Sequence, residues 1–239
     1  NHSGKSTITA ALMSFNALEG QISFSEHKRN KNANQKVHIE YEDYESNNFS
    51  IDTIESGGSA AVVNSSIEYE NMPYVLPSRR YANYSMYNNF KMDRNNFSSN
   101  KLSSFSNRAY ELPNYEQRIS KWNENQKEFN EILKEVIKED FSWYIEEDDN
   151  GNYFVKMEFN NNKIIHTREG IGDGFWSIFT IADALYDSEK NSIIVIDEPE
   201  LSLHPTYQRR VLNLLEHFSK DRQIIITTHS PYFISNEAI

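Results

Sequence analysis

The sequence predicts an α/β domain with a mainly parallel core sheet, on three observations. A Gly-Lys-Ser turn near the start runs into an apolar helical stretch, a continuous β-branched run near the far end stops at an acidic pair, and a second such run stops at a histidine. A helical stretch separates the two apolar runs, and strand, helix, strand with unbroken apolar strands is the pattern of a parallel sheet covered on both faces. The 239 residues fit one large domain with insertions and leave little room for two. No apolar run approaches the roughly 20 residues that cross a bilayer. The absence of Cys excludes a disulfide framework and thiolate metal sites, and with no signal-peptide pattern the expected location is the cytoplasm. A net charge of −11 argues against a chain coated for non-specific nucleic-acid binding.

Residues 1–19 open the domain. Asn1-His2-Ser3-Gly4-Lys5-Ser6-Thr7 precedes a helical run with Ile8, Ala11, Leu12 and Phe15, and reads as the second half of a P-loop, G-x-x-x-x-G-K-[ST]. The first glycine of that pattern would lie ahead of Asn1, so the chain is expected to be a piece of a longer one. Gly4 allows a tight turn whose N–H groups, with Ser3 and Thr7 beside it, face phosphate oxygens. Lys5 is a point charge for the β- and γ-phosphates, Ser6 can place a hydroxyl on Mg²⁺, and the helix N-terminus favours the anion. An ordinary Ser/Gly turn capping a helix is the competing reading of this segment alone.

Residues 20–114 are dense in Asn, Ser and Tyr and are assigned to an antiparallel β-subdomain with loops. A strand is expected over Lys36–Tyr41, turn signals at Gly57-Gly58, and a short apolar strand, Met72–Leu76, that ends in Pro77-Ser78-Arg79-Arg80. Arg79 and Arg80 are either a solvated pair or a ligand clamp. Residues 115–141 carry apolar side chains at three- and four-residue steps from Ile119 to Phe141 and form the helical insertion, without the sustained heptads of a coiled coil.

Within 142–190, Trp143–Glu146 and Tyr153–Phe159 flank the turn signal Asp148-Asp149-Asn150-Gly151-Asn152, and Ile164–His166 completes a meander. It leads into Arg168-Glu169-Gly170-Ile171-Gly172-Asp173-Gly174 and a helix with Phe175, Ile178, Phe179, Ala182 and Leu185 on its apolar side. Residues 191–239 hold the core signals. Ser192–Ile196 runs into Asp197-Glu198-Pro199-Glu200, which reads as a Walker B strand: Asp197 would hold Mg²⁺ and Glu198 would polarise the attacking water. Pro205–Phe218 is the intervening helix, with Val211, Leu214, Leu215 and Phe218 on one face and Arg210 expected on the solvent side. Gln223–Thr227 then delivers His229 to the same sheet edge.

Ile196–Pro205 and Thr227–Pro231 together resemble the ABC-type ATPase heads of the RecF, SMC/Rad50 and OLD families, and most closely the AAA-like ATPases of bacterial anti-phage systems of the Septu, retron and PARIS kind. The resemblance spans residues 1–19 and 164–235. It implies a P-loop NTPase with ATP and Mg²⁺, a switch-histidine role for His229 as γ-phosphate sensor, and a D-loop after Walker B. It also implies that Gly172, Asp173 and Gly174 act as a degenerate signature motif touching nucleotide held by an opposite subunit. No serine immediately precedes that turn, unlike LSGGQ, and a Gly-rich hairpin-to-helix turn is the alternative. The function expected from the resemblance is a hydrolysing switch, catalysed by Glu198, His229 and Lys5, that dimerises head to head and restrains a nuclease or toxin effector. A RecF-like DNA-binding repair head, a scaffold that binds ATP without hydrolysing it and, more distantly, a transporter subunit are the competing functions. Neither a membrane partner nor a nuclease cluster of the chain's own is expected.

Overall fold

The apolar run before Asp197 is a strand buried on both faces, and its alternation sets the layers of the protein. The structure, a computed structural model, describes residues 8, 9, 12, 38–42, 45–53, 61–66, 73–76, 78, 126–147, 149, 153–159, 164–167 and 170–234. Nine strands are described: β1 (His38–Glu42), β2 (Asn48–Thr53), β3 (Ala61–Ser65), β4 (Tyr74–Leu76), β5 (Phe141–Glu147), β6 (Tyr153–Phe159), β7 (Ile164–Thr167), β8 (Ile193–Asp197) and β9 (Gln223–Thr227). Beside a helical stretch at residues 8, 9 and 12, the described helices are α1 (Gln126–Ile137), α2 (Asp173–Asp187) and α3 (Pro205–Phe218), and a 3-10 turn follows at Pro231–Phe233.

The core sheet has the order β4-β8-β9 and both of its pairings are parallel, as the α/β reading predicts. Tyr74 aligns with Ile194 and Leu76 with Ile196, while Ile193 aligns with Gln223 and Asp197 with Thr227. Successive side chains on a strand point to opposite faces. Leu76, Ile194 and Ile196 therefore enter the large core, together with α1, α2 and α3. Val195 enters a second core with Leu12, Phe49 and Ile51. The antiparallel sheet β1-β2-β3 supplies Phe49 and Ile51 from β2 and covers this second face.

The meander β5-β6-β7 is antiparallel, with Phe141 opposite Phe159 and Glu147 opposite Tyr153. It packs Trp143, Val155 and Met157 into the large core. Phe129 on α1 meets Trp143 and Phe179 edge-on at 5.7 and 5.9 Å between ring centroids. That geometry matches the ring quadrupoles and adds about 0.5–1.5 kcal/mol per pair beyond burial. The Trp143 indole N–H donates to Asn130 Oδ1 at 2.6 Å, which satisfies the one polar atom that this large side chain brings inside.

Two expectations are corrected. The described helix of the insertion ends at Ile137, Lys138 takes a left-handed φ of 57°, and Phe141 opens β5 rather than closing the helix. The side chain at 141 keeps the helical apolar spacing but packs from a strand. Arg210 does not face solvent. Its guanidinium donates to the carbonyls of Val136 at 2.9 Å and Ile137 at 3.2 Å, lies over the Tyr207 ring and caps the C-terminus of α1. A cation there satisfies carbonyls that the helix leaves unpaired and complements its dipole.

Among the described residues, no helix is long and apolar enough to cross a membrane.

Candidate functional site

The side-chain alternation that builds the two cores also places the site. Asp197 ends β8 two residues beyond Val195, so both point to the face that carries Leu12. Thr9 lies three residues before Leu12 in a helical stretch, and i, i+3 positions share a helix face. Thr9 accordingly reaches Asp197, Oγ1 to Oδ1 at 3.3 Å, across 188 residues of sequence. Lys5 and Ser6 precede Thr9 by four and three residues in the sequence.

Asp197 is 4% exposed. The same Oδ1 also accepts a hydrogen bond from the hydroxyl of Thr227, its partner across the parallel register. Neither threonine was singled out in the sequence. Thr227 becomes legible only once β8 and β9 are paired in register, and Thr9 only once the parity of Val195 and Asp197 is followed.

The chain turns sharply after Asp197. The Glu198 N–H continues the ladder to the Thr227 carbonyl at 2.7 Å, but Glu198 itself takes φ 49°. A left-handed conformation costs a non-glycine residue about 1–2 kcal/mol and concentrates where surrounding structure fixes a functional side chain. The result is that Glu198 Oε1 lies 3.7 Å from Nε2 of His229, within ion-pair range when the imidazole is protonated. The turn closes through Leu201 N–H to the Glu198 carbonyl at 3.1 Å and Leu203 N–H to the Glu200 carbonyl at 2.9 Å. His204 then caps α3 through a bond from the Thr206 N–H, ahead of Pro205 in the first turn.

The signature-like segment comes to the other side of this turn. Gly172 is the N-cap of α2 in extended conformation and, among the described residues, nothing lies within 4 Å of where a Cβ would stand. Gly174 differs: a Cβ there would be 2.6 Å from the Ser202 carbonyl oxygen, too close for any other residue without movement. Ser202 has φ 64°, and its carbonyl meets the first turn of α2 backbone to backbone. Asp173 is exposed in the first turn of α2.

Asp197, Glu198 and His229 are thus brought to one sheet edge, and Gly172–Gly174 to the neighbouring helix N-terminus. Ser3, Gly4, Lys5, Ser6, Thr7, Arg79 and Arg80 lie outside the described residues.

The parallel core, the antiparallel β-sheets and the carboxyl-edge site define the class as a P-loop ATPase head. A solved structure described as the Smc head bound to the C-winged helix domain of ScpA superimposes with a TM-score of 0.53, at 14% identity, over 98% of this chain and 81% of that one. At that identity the likeness shows the fold. The chain belongs to the AAA_21 family, "AAA domain, putative AbiEii toxin, Type IV TA system", whose model matches residues 47–235.

Among curated relatives, the Septu protein PtuA of Bacillus thuringiensis is 45% identical over 47 residues, 20% of this chain and 12% of that protein. The retron Ec83 probable ATPase of Escherichia coli is 49% identical over 39 residues, 16% of this chain and 7% of that protein. The matches therefore span small fractions of these relatives, and they bear out the resemblance read from the motifs.

Proposed function

We propose that the chain is the ATP-binding and hydrolysing head of a switch ATPase, and that the contact of Thr9 with Asp197 is the observation that carries this reading. It joins the sequence that follows a Gly-Lys-Ser turn to a buried carboxyl group at the end of a parallel strand, which is where α/β sheets bind ligands. The donor set fits Mg²⁺, a hard cation that is usually held by one or two carboxylates together with substrate phosphates rather than by an all-protein cage. Asp197 and Ser6 would hold the ion, which when bound neutralises charge developing on the phosphates.

The chain's own groups divide the remaining work. Ser3, Gly4, Lys5 and Thr7 bind and orient the phosphates. The carboxyl group of Glu198, held by its left-handed backbone at the sheet edge, accepts a proton from the attacking water, and His229 beside it faces the γ-phosphate. The open N-terminus of α2 at Gly172, with Asp173 and Gly174, is the half of the site offered to nucleotide on a second copy, and supports a head-to-head dimer. Control of a separate or fused nuclease or toxin effector, in a defence setting, follows from the resemblance to Septu- and retron-associated proteins. DNA binding is the weaker reading, since a net charge of −11 offers little attraction to phosphates.

Steady-state phosphate release, measured beside equilibrium nucleotide binding, tests the reading. Wild type is expected to hydrolyse Mg-ATP, Glu198→Gln to bind it with little turnover, and Lys5→Ala to lose binding. Unchanged turnover in Glu198→Gln would remove the hydrolytic role and leave a nucleotide-bound scaffold.

A further inference from the structure

Beyond Thr227 the chain leaves the β8–β9 ladder, and the N–H groups of His229 and Ser230 must find acceptors elsewhere. Both reach the same carboxylate oxygen, the Ser230 N–H sharing its bond with the Thr228 hydroxyl oxygen at 2.9 Å. Glu200 Oε1 accepts from the His229 N–H at 2.6 Å and the Ser230 N–H at 3.1 Å, across 29 and 30 residues. The other oxygen, Oε2, is buried with no hydrogen-bond partner among the described residues.

We propose that Glu200 is a positioning residue for His229, anchoring the switch-histidine loop to the same turn that carries Glu198. This rests on the ATPase reading above. The turn is a firm base for such an anchor. Its Ser202 carbonyl is fitted against Gly174 at the start of α2, and its Leu203 carbonyl accepts from Gln208 Nε2 at 2.8 Å. Gln208 Oε1 in turn accepts from the Ser230 hydroxyl at 2.5 Å, so the histidine loop is tied to the turn a second time, through Gln208. The His229 side chain is 43% exposed, and its Glu198 contact is loose at 3.7 Å. The place of its imidazole is therefore set by its backbone, and Glu200 holds that backbone. The spacing of base and γ-phosphate sensor then becomes a property of one short piece of chain, residues 198–203, which also touches α2.

Amide hydrogen exchange in the nucleotide-free full chain tests the anchor without any turnover, using peptides that cover 224–233 and, as a control of folding, 205–218. Glu200→Ala is expected to speed exchange at His229 by about 10-fold or more, and less at Ser230, which keeps its bond to the Thr228 hydroxyl, while the α3 peptide is unchanged. Glu200→Gln, whose amide oxygen accepts the same two bonds, stays near wild type, and Glu200→Asp, one methylene short, behaves as the alanine variant.

In turnover assays Glu200→Ala lowers kcat about 10-fold or more with KM within about 3-fold, because nucleotide binding does not depend on the histidine's place. In a His229→Ala background the same replacement costs less than about 2-fold, since no imidazole remains to be positioned. Exchange at 229 that ignores Glu200→Ala, or a full multiplicative loss in the His229→Ala background, overturns the proposal. Faster exchange in Glu200→Ala, in a wild-type protein that hydrolyses no ATP, overturns the ATPase reading and leaves the anchoring of His229 standing.

Discussion

The carboxyl edge of the core sheet and the N-terminus of α2 adjoin each other, yet they are built in opposite ways. At the sheet edge the groups are tied to one another: Asp197 takes hydroxyls from Thr9 and Thr227, Glu198 faces His229, and Glu200 holds the histidine backbone. At α2, among the described residues, nothing lies within 4 Å of where a Cβ of Gly172 would stand. One region is tied together by bonds within the chain. The other is open, and this asymmetry suits the proposed sharing of a nucleotide between two heads. The two glycines of the α2 turn also divide: Gly174 is needed for its contact with Ser202, whereas Gly172 is free to meet something from outside.

The largest effect that would break this contrast comes from the closed side. Glu198→Gln keeps size and contacts but removes the proton acceptor, and should lower kcat by about 100-fold or more with nucleotide affinity retained. A loss under about 3-fold in phosphate-release assays would place the base elsewhere.

Next come the glycines, which the account separates by kind of effect. Gly174→Ala should destabilise by about 1–3 kcal/mol in denaturant unfolding, because its Cβ meets backbone that has no rotamer to yield. Gly172→Ala, extended and unobstructed, should change stability by less than about 0.5 kcal/mol and act only on nucleotide-dependent association. Equal destabilisation by both would erase the distinction drawn here.

Arg210→Ala tests whether stability can be lost without touching either region. Losing two bonds from a charged donor to the Val136 and Ile137 carbonyls should cost about 1–3 kcal/mol, while kcat per folded molecule stays the same.

How far the sequence carried these features depended on whether their cause was local. β8, β9 and α3 were legible because each announces itself: unbroken β-branched runs for the strands, and Pro205 in the first turn of the helix. The meander was legible from its turn residues, and the parallel core from the order of the elements. β2 was not read because Asn48, Ser50 and Asp52 fill its outer face, leaving Phe49 and Ile51 as the whole apolar signal. Arg210 was misread because a helical face shows what lies on its own helix, while its partners are carbonyls at the end of α1. Glu200, Thr9 and Thr227 were invisible for a related reason. Each acts through a residue tens or hundreds of positions away, and only the packed sheet shows which.

The smallest effect lies on the outer antiparallel sheet and serves as a background for pH studies of the site. The hydrogen bond to Asp52 at 2.8 Å, with Glu40 nearby, raises the His38 pKa above its ordinary 6.5. A raised folded value means the contribution to stability is fully present below 6.5 and fades as pH rises through the folded pKa. His38 is exposed, so the stability change should be slight. Titration of its ring resonances should show the raised midpoint, and Asp52→Asn should bring it back toward 6.5. A midpoint that ignores Asp52→Asn would contradict the pairing.

The central claim is that the open half at α2 and the closed half at the sheet edge meet across two copies of the chain when ATP is bound. Molar mass by light scattering tests it most directly, on full-length protein carrying Glu198→Gln, with and without Mg-ATP, beside Lys5→Ala. The account predicts an ATP-dependent rise in mass in the first protein and none in the second. A mass that ignores nucleotide in both would contradict it.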